Sequence, residues 1–172
     1  MTAGSWSSIV FLDIDGVLNN ERHATWLHEN VQKGAGFGMP WELESGNITP
    51  ETVGWDPANL EALWHIIDET DAKIVVSSTW RLGRRSVFFR EISKVAFGRA
   101  LPVIDITPVI NEIGSIRGDE VNQWLEGAPM VERWVCLDDD GDFHPNNNLV
   151  QTNMEVGLTM EDAEKAIEIL KG

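Results

Sequence analysis

The chain has 172 residues, which fits one domain with a full core. Its 28 acids against 13 bases give a net charge of −15, which argues against broad, nonspecific binding to nucleic acid or an anionic membrane. The lone cysteine, Cys136, excludes an intramolecular disulfide framework, and no apolar run approaches the roughly 20 residues of a membrane span. No basic stretch followed by an apolar core opens the chain, so a soluble, cytoplasmic protein is the expectation.

Apolar runs then alternate with amphipathic segments. Ser8–Leu12 reads as a buried strand that stops at Asp13, Asp15 and Gly16. Residues 19–55 follow, rich in Gly, Asn, His and Trp and weak in periodicity; a loop this long inside a compact domain is functional or disordered. Its place directly after the acid pair favours a substrate-covering insert within one domain spanning 1–172. Trp26, Trp41 and Trp55 in this insert suit stacking on a base and packing of a small cap equally.

Asp56-Pro57 reads as an N-cap followed by proline at the first helical position, and Leu60, Leu63, Trp64 and Ile67 recur at helical spacing over Pro57–Asp68. Lys73–Ser77 is a β-branched strand, Ser86–Phe97 a helix, Pro102–Ile106 a short strand and Asp119–Leu125 a further helix. Trp134–Leu137 is a strand stopped by acids, and Leu149–Thr152 is another. Thr159 and Asp162 bracket the start of the last helix in capping-box fashion, with Ala163, Ala166, Ile167 and Leu170 as its apolar stripe. Strand–helix alternation with fully apolar strands implies an α/β domain, a parallel sheet covered on both faces.

Open parallel sheets place their ligand sites at the carboxyl ends of the strands. There the chain carries Asp13 and Asp15, then Ser77, Ser78, Thr79 and Arg81, then Asp138, Asp139, Asp140 and Asp142. Arg117 opens the helix before the strand that ends in the acids. Residues two apart on a strand share a face, so Asp13 and Asp15 repel unless a cation joins them. All-oxygen ligands select a hard cation, and Mg²⁺ is held by one or two carboxylates together with substrate phosphate. Hydroxyls and a guanidinium suit the remaining phosphate oxygens. With the phosphate's charge shared out, a carboxylate can attack phosphorus.

D-I-D-G-V-L resembles the first motif of the haloacid dehalogenase (HAD) superfamily of phosphohydrolases, whose four motifs the chain matches in order. The resemblance implies a Rossmann-like sheet with a small insert after the first strand. It implies Asp13 as nucleophile and Asp15 as general acid/base, with the Asp15 backbone carbonyl helping to bind the metal. Ser77 is the first choice for the phosphate-binding hydroxyl and Ser78 the second. Arg117, in R-G-D-E-V, resembles the third motif with arginine in place of lysine. Asp138 and Asp139 resemble the acidic fourth motif, with Asp139 the first choice as direct ligand and Asp142 the alternative.

S-S-T-W-R, R-G-D-E-V-N-Q-W-L and L-D-D-D-G-D resemble more narrowly a HAD branch associated with nucleic-acid repair and similar to polynucleotide 3′-phosphatase domains. The expected partner is therefore a phosphorylated substrate, a nucleotide or a nucleic-acid end. Arg81, Arg84, Arg85, Arg90, Lys94 and Arg99 form a basic segment that supports a polyanionic partner, with Arg81 as a second phosphate contact or a backbone contact. The alternatives are a small-metabolite phosphatase and a phospho-accepting module resembling receiver domains. His144, beside the acids, and the buried-looking Cys136 carry no assigned role.

Overall fold

A computed structural model describes residues 6–31, 48–128 and 130–172. Five strands form one parallel sheet: β1 (Trp6–Leu12), β2 (Lys73–Val76), β3 (Val103–Ile106), β4 (Val131–Asp138) and β5 (Leu149–Gln151), in the order β3-β2-β1-β4-β5. That is the doubly wound order of dinucleotide-binding folds, with β1 central. Receiver domains follow 2-1-3-4-5, so the strand order sets the receiver alternative aside.

Alternation along the strands divides the core. Val10, Leu12, Ile74, Val76, Val135 and Leu137 face one side, and Ile9, Phe11, Val75 and Cys136 the other. The first side is covered by α3 (Pro57–Thr70), α4 (Ser86–Phe97) and α6 (Met160–Lys171); α5 (Arg117–Gly127) packs on the second. Side chains at both faces are excluded from water, which is why these strands read as continuous apolar runs.

Local chemistry sets the helix ends. Asp56 accepts the amide of Ala58 ahead of Pro57, and Thr159 and Asp162 form the anticipated reciprocal capping box. The expected featureless insert is partly helical. Asn20 caps α1 (Glu21–Asn30) by accepting from His23 N at 2.7 Å, and α2 (Pro50–Val53) lies near its far end. α1 buries only Leu27, so it has almost no apolar stripe for periodicity to detect. Trp55 is a core residue stacked on Phe97, whereas Trp26 is exposed and stacked on His23. Trp41 lies outside the described residues. Among the described residues no helix is long and apolar enough to cross a membrane.

Candidate active site

The sheet register builds the site. Leu12 pairs with Val76 on one side and Leu137 on the other, so the next residues, Asp13, Ser77 and Asp138, stand side by side at the carboxyl edge. The ladder continues through this level: Asp13 N donates to Leu137 O at 3.0 Å and Ser77 N to Leu12 O at 2.9 Å. Segments over 100 residues apart in sequence thus meet at the central strand, beside the point where strand order reverses.

Gly16 turns the chain out of the sheet with φ +74°, and its missing side chain makes room for Asp139. A Cβ there would lie 2.5 Å from Asp139 Cγ. Asp13, Asp138 and Asp139 consequently bring one carboxylate oxygen each within 4.8 Å of one another. Asp13 is 4% exposed and Asp138 1%. Burial pushes the Asp13 carboxyl up to about 6, against the pull of Arg117, and the Asp138 carboxyl up to about 8, with the Asp13 charge adding to it. Burial raises Asp139 as well.

Arg117 is the one cation reaching into this cluster among the described residues. It begins α5, where a positive side chain opposes the helix dipole. Its Nη1 donates to Asp13 Oδ1 at 3.0 Å and to Ser77 O at 2.6 Å, and its Nε lies 3.5 Å from Asp138 Oδ2. Burial works against its charge, but Asp138, Asp13 and Asp142 outweigh that and hold its pKa above the ordinary value. Asp142 anchors the backbone beneath it, accepting from Arg117 N at 3.1 Å. Asp138 Oδ2 is buried without a hydrogen bond, an orphaned acceptor that a hard cation would satisfy. The donor set fits such an ion: three carboxylates, two of them buried, sharing one guanidinium.

Asp15 faces elsewhere. Asn19 Nδ2 donates to its Oδ1 at 2.8 Å, and the Trp80 indole N–H lies 3.2 Å from both its oxygens. Its carboxylate therefore stands outside the cluster of three. Ser78 is hydrogen-bonded to Asp13 and accepts the amide of Trp80, while Ser77 contributes its carbonyl to two guanidinium groups.

Arg81 departs from the expected phosphate contact. All five of its N–H groups are committed: Nε to Thr107 O, Nη1 to Ser77 O and Ser78 O, Nη2 to Pro108 O and Glu120. It is 5% exposed and holds the loop after β2 from behind. The basic segment it heads is likewise spent internally in part, with Arg90 on Val103 O and Arg99 on Asp68 and the Trp64 ring. His144 pairs with Asp119 at 2.6 Å, and burial pushes the Cys136 thiol far above its usual range. Sequence reasoning missed Trp80, Asn19 and Glu120. Nothing in their spacing reports that they face Asp15 or Arg81 across the fold.

The sheet is a doubly wound, Rossmann-like α/β sheet, and three carboxylates and a guanidinium converge at its switch point. The model of the HAD domain in Swiss Army Knife RNA repair proteins matches residues 9–163, and the chain belongs to that family. No curated protein and no solved structure matches it.

Proposed function

We propose that the protein is a Mg²⁺-dependent phosphomonoester hydrolase that works through an aspartyl-phosphate on Asp13, with the phosphorylated ends of RNA or nucleotides as substrate. One observation carries this reading: Asp13 is a buried carboxylate ion-paired to Arg117 at 3.0 Å and clustered with Asp138 and Asp139. The RNA-repair context of the family supports the substrate class.

Mg²⁺ bound by Asp13, Asp138 and Asp139 would neutralise phosphate charge and let an anionic nucleophile approach. The residues then divide the work. Arg117 and the hydroxyls of Ser77 or Ser78 hold the phosphoryl oxygens, and the charge that develops on them is met by a fixed guanidinium. An Asp13 oxygen forms the new bond to phosphorus as the ester oxygen leaves. Asp15 gives that oxygen its proton, then takes a proton from the water that cleaves the acyl phosphate. Because Arg81 is unavailable and the chain is strongly acidic, recognition falls on the chain end and not on a long phosphate backbone.

The test is phosphate release from a 3′-phosphorylated oligoribonucleotide, mononucleotides and sugar phosphates, with Mg²⁺ or EDTA. We expect the oligonucleotide to have the highest kcat/KM, EDTA to stop release, and Asp13→Asn to be inactive. Turnover by Asp13→Asn overturns the mechanism; preference for sugar phosphates overturns the substrate class.

A further inference from the structure

The acid/base carboxylate is held by Trp80, the tryptophan of S-S-T-W-R, to which the motifs give no role. Trp80 is 4% exposed and lies on the short turn Thr79–Arg81, directly after Ser77 and Ser78. Its indole N–H is 3.2 Å from Asp15 Oδ1 and 3.2 Å from Oδ2, so it straddles the two oxygens. Asn19 adds a second donor to Oδ1 at 2.8 Å, and its own Oδ1 accepts the amide of Gly16 at 3.2 Å. Oδ1 therefore has two donors and Oδ2 shares only one, which leaves Oδ2 as the oxygen with capacity to carry a proton.

The indole is itself fixed from three sides. Its backbone amide donates to Ser78 Oγ, the hydroxyl that also bonds Asp13. The next residue, Arg81, binds the carbonyls of Ser77 and Ser78. The ring packs against Trp55 at 6.4 Å between centroids, and Trp55 stacks flat on Phe97 at 5.8 Å. A rigid aromatic with two torsions, locked by packing, sets a hydrogen-bond donor with little freedom to drift.

We propose that Trp80, assisted by Asn19, is a positioning residue that orients Asp15 so that Oδ2 delivers its proton to the leaving oxygen. This rests on the phosphatase reading above. In the step concerned, the Asp13–phosphorus bond forms, the bond from phosphorus to the ester oxygen breaks, and the proton passes from Asp15 to that oxygen. A ribose oxygen needs the proton because its alkoxide is a poor leaving group. A p-nitrophenolate leaves without one. Misplacing Asp15 therefore harms the first substrate selectively.

The experiment compares kcat/KM, which reads the steps through leaving-group departure, for a 3′-phosphorylated oligonucleotide and p-nitrophenyl phosphate. Trp80→Phe keeps an aromatic ring and removes the N–H. We expect it to lower kcat/KM by roughly 10–100-fold on the oligonucleotide and by less than about 3-fold on the aryl ester, a part of what general acid catalysis supplies. Trp55→Phe is the control: it loosens the same aromatic cluster without touching Asp15, and its losses should be equal on the two substrates. In solution, the indole N–H resonance that disappears in Trp80→Phe should move in Asp15→Ala.

Equal losses in Trp80→Phe on both substrates, or an unmoved indole resonance, overturn the positioning role. Should Trp80→Phe fail to fold, Asn19→Ser carries the same comparison by removing the other donor. A wild-type protein that cleaves neither ester overturns the phosphatase reading and this inference with it. An active wild type with equal losses overturns this inference alone.

Discussion

Replacing Asp138 by asparagine should make the metal-free protein more stable and abolish its response to metal. Asp138 Oδ1 accepts from Asp140 N at 3.0 Å, while Oδ2 is buried with no hydrogen bond and has only the Arg117 Nε at 3.5 Å. Burial, then the Asp13 charge, raise its carboxyl from 3.8 to about 8. A carboxyl whose folded pKa exceeds its unfolded value binds its proton more tightly when folded. Its ionisation therefore costs stability, nothing below about pH 4 and the full amount above about pH 8. At about pH 7 the unfolded group is some 3 pH units past its pKa, which at ~1.4 kcal/mol per unit sets a cost of about 4 kcal/mol.

Asparagine removes that cost and keeps the acceptor for Asp140, but it forfeits the attraction of Arg117. We expect about 2 kcal/mol to remain as a gain, a rise in Tm of roughly 4–8 °C for a chain of this size. The assay is thermal melting in EDTA at about pH 8 and about pH 4, repeated with Mg²⁺. The variant should melt above wild type at the higher pH, converge with it at the lower, and lack the Mg²⁺-dependent rise expected of wild type. A variant that melts at or below wild type in EDTA at about pH 8 refutes the reasoning, because the orphaned carboxylate would then impose no cost.

Gly16→Ala should reduce Mg²⁺ affinity and activity together, since its Cβ would lie 2.5 Å from Asp139 Cγ at a φ of +74°; unchanged metal titration by calorimetry would contradict the close approach. Glu120→Gln leaves the buried Arg81 without its counter-charge and should cost on the order of 3 kcal/mol in urea melts, because Arg81 is only 5% exposed and cannot recover water. Cys136 should resist alkylation in the native state and react only on unfolding, as burial holds its thiol protonated; rapid native labelling would count against that.

Much of this site was open to reading in one dimension. Asp13 and Asp138 end apolar strands, and a strand in a covered parallel sheet has no other reason to stop in buried acids. The caps of α3 and α6 were legible because they depend on neighbours within three residues. The insert was harder. α1 buries one residue, so the amphipathic signal that reveals helices is nearly absent, and the helix is marked only by Asn20 at its cap. Arg81 misled for a related reason: a basic residue beside a strand-end hydroxyl pair looks the same in sequence whether it faces a ligand or the protein's own backbone.

The sequence by itself determined that acids, a hydroxyl pair and Arg117 gather where strands and a helix end, the groups on which the proposed chemistry rests, because those positions follow from local pattern. Only the tertiary structure decided which groups share that work. Asp15 turns toward Trp80, 65 residues on, and away from the three clustered carboxylates. Arg81 closes on five acceptors drawn from three segments, with no N–H left for substrate. Such assignments depend on the direction of a side chain across the sheet edge. Strand register and the packing of Trp55 and Trp80 set that direction, and neither follows from the residue's neighbours along the chain.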